Sequence, residues 1–485
     1  MYNYRNMFYL EPFGIKTHCC LPTATCLRMI NFVPGGIKFL CFLVAIVLSI
    51  PVCAYSHNDP AADSVQSFTL EQCIDYAMEH QPGLNQSLVN TVIVKKTNAI
   101  NLSGWLPQLN LTGNVIHYYQ LPTALSPNPT VPGGPPVETH TGTINTAIPE
   151  LSASETIFAP QLFYAAATAP LLTKQAELAT DSAKISVVST VSKSFYNLLL
   201  TLEQINVLED DTARLGRNIS DTYDQYVSGI VDETDYQQAV ITLNNSKAQL
   251  QQQIENVTPE YSFLKQIIGY PPEKQFNVVF DTAQMMQEIY CDTTQPLEYE
   301  KRIEYQELQT AHDLQRKETV YDVLSFLPTV SVVYNYYDEY ENNTWSNLFK
   351  TSYPYSYVGL SFSLPIFTGF SRVENIQRSE LRGEFLDWEE VNLKSQIYTE
   401  YASALANYKS NLYTLSLLND NKFRANNVYR VISLQYKEGI VSYLNLLVAE
   451  SNLIAAEIGY IDALFQLLSS KIDLEKARGD IPYHH

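Results

Sequence analysis

The chain has 485 residues, with 31 Lys/Arg against 51 Asp/Glu and a formal net charge of −20. Such an acid surplus argues against nucleic-acid binding, which draws on basic surface to displace the counterions of phosphate. The length permits a large core or two to three domains; five of the seven cysteines fall in residues 1–54, so beyond them Cys73 and Cys291 are too few for a disulfide framework, and spacing leaves a single bridge between them open.

The first element is a targeting segment. "GIKFLCFLVAIVLSIPVCA" carries Lys38, then an apolar run, then Val52-Cys53-Ala54. Short residues at the third and last positions before a cut suit a signal peptidase, so cleavage is expected after Ala54. A membrane anchor is the alternative, but the run is short for a ~20-residue span. A lipoprotein cut before Cys53 meets a bulky Val52. Met29 sits at a natural distance for a signal start, which marks residues 1–28 as a candidate mis-assigned extension. Without residues 1–54 the balance becomes 27 against 50, or −23. No second long apolar run follows, so an exported form that enters a membrane is expected to do so as a closed β-barrel.

"WLPQLNLTGNV" (Trp105–Val115) alternates Leu109, Leu111 and Val115 with Gln108, Asn110, Thr112 and Asn114, the period of a strand. "LPTALSPNPTVPGGPPVE" follows as a turn-rich loop. A return strand over about 140–158 ends in "ETIF"; Pro149 interrupts it, which favours an edge or a bulge and leaves its length open. Stretches without Pro or Gly then read as helices: 171–215, 230–258, 297–327 and 384–438. The last would be roughly 80 Å long as one helix, a length that implies coiled-coil-like pairing.

The pattern then repeats. Val188, Val191, Phe195, Leu198, Leu202 and Ile205 step by 3, 4, 3, 4, 3, and Tyr398, Tyr401, Leu405, Tyr408, Leu412 and Leu415 repeat the steps 210 residues later. "YVSGIV" (Tyr226–Val231) matches "YKEGIV" (Tyr436–Val441) at the same offset. "FLPTVSVVYNY" (Phe326–Tyr336) repeats the outgoing strand, with Val333 out of phase, and "LPIF" (Leu364–Phe367) repeats the end of the return strand. The chain is therefore read as an internal duplication: a signal peptide over 1–54, a first helix-strand-strand-helix repeat over 55–279 and a second over 280–485.

Four strands of about ten residues match the length that crosses a tilted bilayer path. Four cannot close a barrel, and an open edge in lipid leaves backbone groups unpaired. Three chains would supply twelve strands, an even number within the range of outer-membrane barrels. Tyr118, Tyr119, Tyr334, Tyr336, Tyr337, Tyr340, Tyr353, Tyr355 and Tyr357 crowd the strand regions, as expected of rings at a water–lipid boundary. Within "VGLSFSLPIF", Val358, Leu360, Phe362 and Leu364 are expected to face lipid, and Gly359, Ser361 and Ser363 a wet lumen.

"VGLSFSLPIFTGF" (Val358–Phe370) resembles the second return strand of the TolC-type outer-membrane efflux family, nearly unchanged. "FTLEQCIDYAMEHQPGL" (Phe68–Leu84) is similar to its opening helices, "WLPQLNLTG" and "FLPTVSV" to its outgoing strands, and "LQYKEGIVSYLNLLVAESNL" to a hairpin near its closed end. The likeness covers about 68–480. It implies an α+β membrane protein: a trimeric twelve-stranded β-barrel with four strands per chain, continued by a long periplasmic α-helical coiled-coil barrel. It further implies a Gram-negative outer-membrane location, a periplasmic adaptor (membrane fusion protein) and an inner-membrane pump or transporter as partners. The cargo would be small molecules or a polypeptide.

Chemistry-bearing residues are sparse. There is no phosphate-cradling Gly loop, no paired-Cys zinc pattern and no His-Glu-x-x-His, so no enzyme, cofactor or metal is expected. His312 reads as a packing or surface residue. In "GIVDETD", Gly229 ends one long helix as Gly439 ends the other. Asp232, Glu233 and Asp235 then begin the next helix, where carboxylates suit the helix dipole and free N–H groups. In a trimer the same carboxylates would ring an axis and favour cations. The resemblance puts this turn at the periplasmic aperture, with Asp235 and Tyr436 at positions of closing contacts and Tyr226 as the counterpart of Tyr436 in the repeat. The second hairpin departs from better-known members: Asn445 and Val448 replace two aspartates, and Val441 replaces a latching arginine. Gly229, Ile230, Gly439 and Ile440 are the candidate adaptor contacts. A soluble periplasmic coiled-coil scaffold or adaptor is the alternative from another class.

Overall fold

The computed structural model describes residues 66–127, 130, 134–280 and 289–482. The described residues belong to the unit Val65–His485. The expected signal segment 1–54, its cleavage site and Met29 therefore lie outside the described residues.

The unit opens with β1 (Gln66–Phe68), α1 (Leu70–His80) and α2 (Pro82–Leu102). Thr69 caps α1 in a reciprocal box with Gln72, satisfying two free N–H groups at once. Pro82 starts α2, where its missing N–H costs nothing. Next come β2 (Gln108–His117), a short hairpin of β3 (Thr123–Ser126) and β4 (Val137–His140), and β5 (Asn145–Phe158). α3 (Pro160–Val227) and α4 (Glu233–Ile268) complete the first half. After β6 (Phe276–Val278), the second half supplies α5 (Ile303–Leu324), β7 (Thr329–Asn342), β8 (Ser352–Ser363), α6 (Ser371–Lys437) and α7 (Tyr443–Arg478).

The duplicated helices correspond in length: α3 and α6 have 68 and 67 residues, and α4 and α7 have 36 each. At 1.5 Å per residue the longer pair spans about 100 Å. Both exceed the expected limits because the helices run through residues taken as breaks, Pro170 in α3 and Gly383 in α6; α4 likewise runs through Pro259. A proline deletes one intrahelical bond, and packing along the rest of the helix outweighs that loss. Both short helices end in a left-handed glycine 210 residues apart. A Cβ on Gly269 would sit 2.4 Å from the His80 carbonyl oxygen, and one on Gly479 would sit 2.8 Å from that of Lys301.

Helix α3 packs on α2, α4, α5 and α7, while α6 packs on α5 and α7. The core lies at the waist, where the predicted stripes meet. Val188, Val191, Phe195 and Leu198 of α3 bury against Leu264 and Ile268 of α4, Tyr408 and Leu415 of α6, and Leu467 and Leu468 of α7. Each such side chain contributes about 1.5–3 kcal/mol by leaving water. Tyr398 departs from its stripe and is exposed. The Tyr408 hydroxyl donates to the Ile289 carbonyl and accepts from the Cys291 N–H, both at 2.8 Å, pinning the connector between the halves to α6. The parallel pair β1–β6 ties the start of the first half to its end. Cys73 and Cys291 are both unpaired, and burial pushes the Cys73 thiol up to about 12.

By length and composition alone α3 and α7 are apolar enough to cross a membrane, contrary to the expectation that no such run follows residue 54. Most of that stretch in α3 is buried inside the bundle, so its apolar side chains are used in helix packing.

The sheet is antiparallel, in the order β2-β5-β7-β8. Pro149 does not mark an edge. β5 runs through it between β2 and β7, with Pro149 opposite Gly113. The pairing of β5 with β7 lapses at Ile148 and Pro149, the place where the absent N–H removes a ladder bond. Leu364 lies one residue beyond β8, so it is not a strand residue as expected.

Candidate functional site

The sheet follows directly from its register, because directly opposed residues share a face. One row runs Leu109, Ala153, Tyr334, Val358; the next on that face runs Leu111, Leu151, Tyr336, Ser356. Val332 and Leu360 are opposed on the same face, as are Val330 and Phe362. The other face carries the rows Gln108, Ser154, Val333, Gly359 and Asn110, Ser152, Asn335, Tyr357, with Thr156, Ser331 and Ser361 beside them. Four strands from both halves thus combine into one apolar and one wettable surface. Among the described residues nothing covers the apolar face: Leu111 and Leu360 are each 77% exposed. Its charged members, Glu155 and Asp338, sit toward opposite ends of the strands.

Val333, out of phase in the sequence, falls on the wettable face opposite Gly359, where a Cβ would stand 3.5 Å from its methyl. The tyrosines divide. Tyr334, Tyr336 and Tyr340 lie on the apolar face, whereas Tyr337, Tyr353, Tyr355 and Tyr357 lie on the wettable one. Tyr337 and Tyr355 stack at 4.7 Å, and Asn335 donates to the Tyr357 hydroxyl at 2.7 Å. The register thus splits between two faces the strand tyrosines expected at a water–lipid boundary.

At the other end of the long helices are the two glycine turns. Gly229 and Gly439 take φ of 74° and 68°. In the first turn Ile230 N–H reaches Gln225 O at 2.9 Å and Gly229 N–H reaches Tyr226 O at 3.0 Å. In the second, Ile440 to Gln435 and Gly439 to Tyr436 repeat the pattern at 2.8 and 3.0 Å. This is the Schellman closure, which uses the left-handed glycine to satisfy the last carbonyls. Ile230 and Ile440 project at the tips, 66% and 70% exposed.

The two turns share an end. Ala239 of α4, Tyr436 of α6, and Tyr443 and Leu446 of α7 form one small core there. Tyr436 is buried, and its hydroxyl meets Thr222 of α3 at 3.0 Å. Thr222 already donates to the Asn218 carbonyl, so Tyr436 is the donor. Tyr226 instead stacks on Tyr236 at 6.3 Å. Asp232 stands at the N-cap of α4, followed by Glu233 and Asp235, but its side chain makes no capping bond. Burial, followed by repulsion from Asp235 and Asp221, raises the Tyr436 phenol above its usual range. Val441 packs against the same small core, so an apolar contact stands where an arginine latch was absent from the sequence.

A further constellation lies about three to five helical turns inward. Asp211 and Glu450 are completely buried, on α3 and α7. Arg214 Nη2 donates to Asp211 Oδ1 at 2.8 Å, and Ser246 of α4 donates to Asp211 Oδ2 at 2.7 Å. Arg214 Nε lies 3.4 Å from Glu450 Oε1 but makes no hydrogen bond. Glu450 is met by Asn218, whose amide donates to its two oxygens at 3.1 and 3.2 Å. Arg214 also lies over the Tyr429 ring of α6 at 5.1 Å. Burial, then repulsion from Asp211, pushes the Glu450 carboxyl up to about 7. Spacing signals this cluster: Leu208, Asp211, Leu215, Asn218 and Thr222 are buried at steps of 3 and 4, as are Leu446, Glu450 and Leu453. Polar residues on a core stripe demand partners.

Among the described residues no group of three His, Cys, Asp or Glu side chains is placed to hold a metal. His312, half-way along α5, stands 3.7 Å from Glu390 and 3.9 Å from Asp387 of α6, so it packs between helices.

Residues 306–480 match the family described as outer membrane efflux protein. No curated protein sequence matches the chain. Solved structures are similar over most of it. The CmeC outer membrane channel of Campylobacter jejuni is 17% identical, with a TM-score of 0.67, covering 90% of this chain and 95% of that one. The open state of the MtrE outer membrane channel of Neisseria gonorrhoeae is 20% identical, with a TM-score of 0.65, over 88% and 95%. The outer membrane protein VceC of Vibrio cholerae is 14% identical, with a TM-score of 0.66, over 84% and 96%. Residues 306–480 therefore match the outer membrane efflux protein family in sequence, and most of the chain shares with these channels a mostly helical fold that carries a β domain.

Proposed function

We propose that this chain is the outer-membrane exit channel of a tripartite efflux or type I secretion system, a passive conduit for small molecules or a polypeptide. The observation that carries the reading is the four-strand sheet. It has one uncovered apolar face, one wettable face and two unpaired edges, β2 and β8. In lipid those edges need partners. Three copies, joined β8 to β2, give a closed barrel of twelve strands with the apolar face outward. The helices continue it as a periplasmic tube about 100 Å long. A soluble scaffold is disfavoured because it would leave the same apolar face in water.

Val358, Leu360 and Phe362 then meet lipid, with Leu364 just past the strand. Asp232, Glu233 and Asp235 ring the periplasmic mouth, with Tyr226 and Tyr436 behind them. The tips Gly229, Ile230, Gly439 and Ile440 dock a periplasmic adaptor, which links the channel to an inner-membrane pump or transporter. Residues 55–279 and 280–485 are its two repeats, after a signal peptide at 1–54.

Membrane fractionation, mass measurement in detergent and planar-bilayer recording test the proposal together. The expected result is an outer-membrane trimer that conducts. A detergent-free monomer without conductance overturns it.

A further inference from the structure

The buried cluster of Asp211, Arg214, Asn218 and Glu450 joins the two helical hairpins just above the turns. It holds two carboxylates and one guanidinium, and the guanidinium is committed to Asp211. Every group facing Glu450 bears on its charge. From α3 come Asp211, Arg214 and Asn218; from α6 comes the Tyr429 phenol; from its own helix, Tyr443. α4 contributes only Ser246, which acts through Asp211. Among the described residues Arg214 is thus the single cation in the cluster. With Glu450 neutral, the buried site is balanced. With Glu450 ionised, it carries one uncompensated negative charge out of contact with water, which a packed interior strongly disfavours.

We propose that Glu450 is a proton-operated clamp: neutral, it holds α7 against α3; ionised, it loosens the two hairpins and frees the turns at the channel mouth. The gating half of this rests on the exit-channel reading above. The packing half does not.

The sign follows from the direction of the shift. Glu450 is raised from 4.5 to about 7 in the packed state. Its stabilising contribution is full below about 4.5 and is lost as pH rises through about 7. Mild acid therefore tightens the mouth, and neutral to alkaline conditions release it.

The test uses the full-length protein purified in detergent, with Glu450→Gln and Glu450→Met as permanently neutral variants. Two variants are used so that one remains if the other does not fold. Thermal unfolding is followed from pH 5.5 to 8.5, and periplasmic-side conductance is recorded over the same range. The wild type is expected to fall by several degrees relative to the variants between pH 5.5 and about 7 and to level off above it. Its conductance is expected to rise severalfold, while the variants stay at the low-pH level. Parallel stability curves overturn the clamp and leave the channel standing. Conductance that rises equally in wild type and variants overturns the gating role. No conductance in any protein at any pH overturns the channel reading together with the gating half.

Discussion

At the residue scale, the sheet's function rests on which way single side chains point. Leu360 and Ser361 are neighbours in β8, yet the register sends one to the apolar face and the other to the wettable face. An arginine facing lipid at mid-barrel costs about 2–4 kcal/mol, whereas one facing a lumen is tolerated. Leu360→Arg is therefore expected to lower the yield of assembled outer-membrane protein severalfold, and Ser361→Arg to leave it near the wild-type level. Equal assembly of the two, measured by membrane fractionation and detergent-resistant oligomer, would reverse the face assignment. Alternation made Leu360 and Ser361 legible from sequence. The tyrosines were not, because a ring with a hydroxyl suits either a lipid boundary or a wet aromatic pair, and only cross-strand partners decide. Tyr337 stacked on Tyr355 is the second kind.

At the element scale, the helices were legible in their core stripes and in the turns at Gly229 and Gly439, but not at the residues that looked like interruptions. Pro170, Pro259 and Gly383 look like stops, yet each lies inside a helix held along its length by neighbours. The glycine ends separate two physical causes. Gly439 has a positive φ, but a Cβ there would meet nothing within 4 Å. Gly479 has a similar φ of 76°, and a Cβ there would press on the Lys301 carbonyl. Gly439→Ala is thus expected to cost about 1 kcal/mol from backbone conformation alone. Gly479→Ala adds an overpacking cost of about 1–3 kcal/mol. Thermal unfolding should place Gly479→Ala clearly below Gly439→Ala; the opposite order would mean that the C-terminus of α7 is loosely seated.

At the scale of the whole molecule, the proposed trimer multiplies what each chain carries. Three copies of Asp232, Glu233 and Asp235 at one mouth would attract cations and repel anions. The absence of a capping bond from Asp232 leaves its charge free for that role. Asp232→Asn combined with Asp235→Asn is expected to lower cation preference in single-channel recordings, while the thermal unfolding midpoint moves little. Unchanged selectivity would take the first hairpin out of the permeation path.

Periodicity and the 210-residue offset were enough to reveal paired long helices, outgoing and return strands, and glycine turns. These are local properties, set by which side of a helix or strand each side chain occupies. The sheet order, the place of Pro149 inside it, and the meeting of Asp211, Arg214 and Glu450 were decided only by tertiary structure. Each joins residues far apart in the chain, and a lone glutamate on an apolar stripe says that a partner must exist without saying which helix brings it.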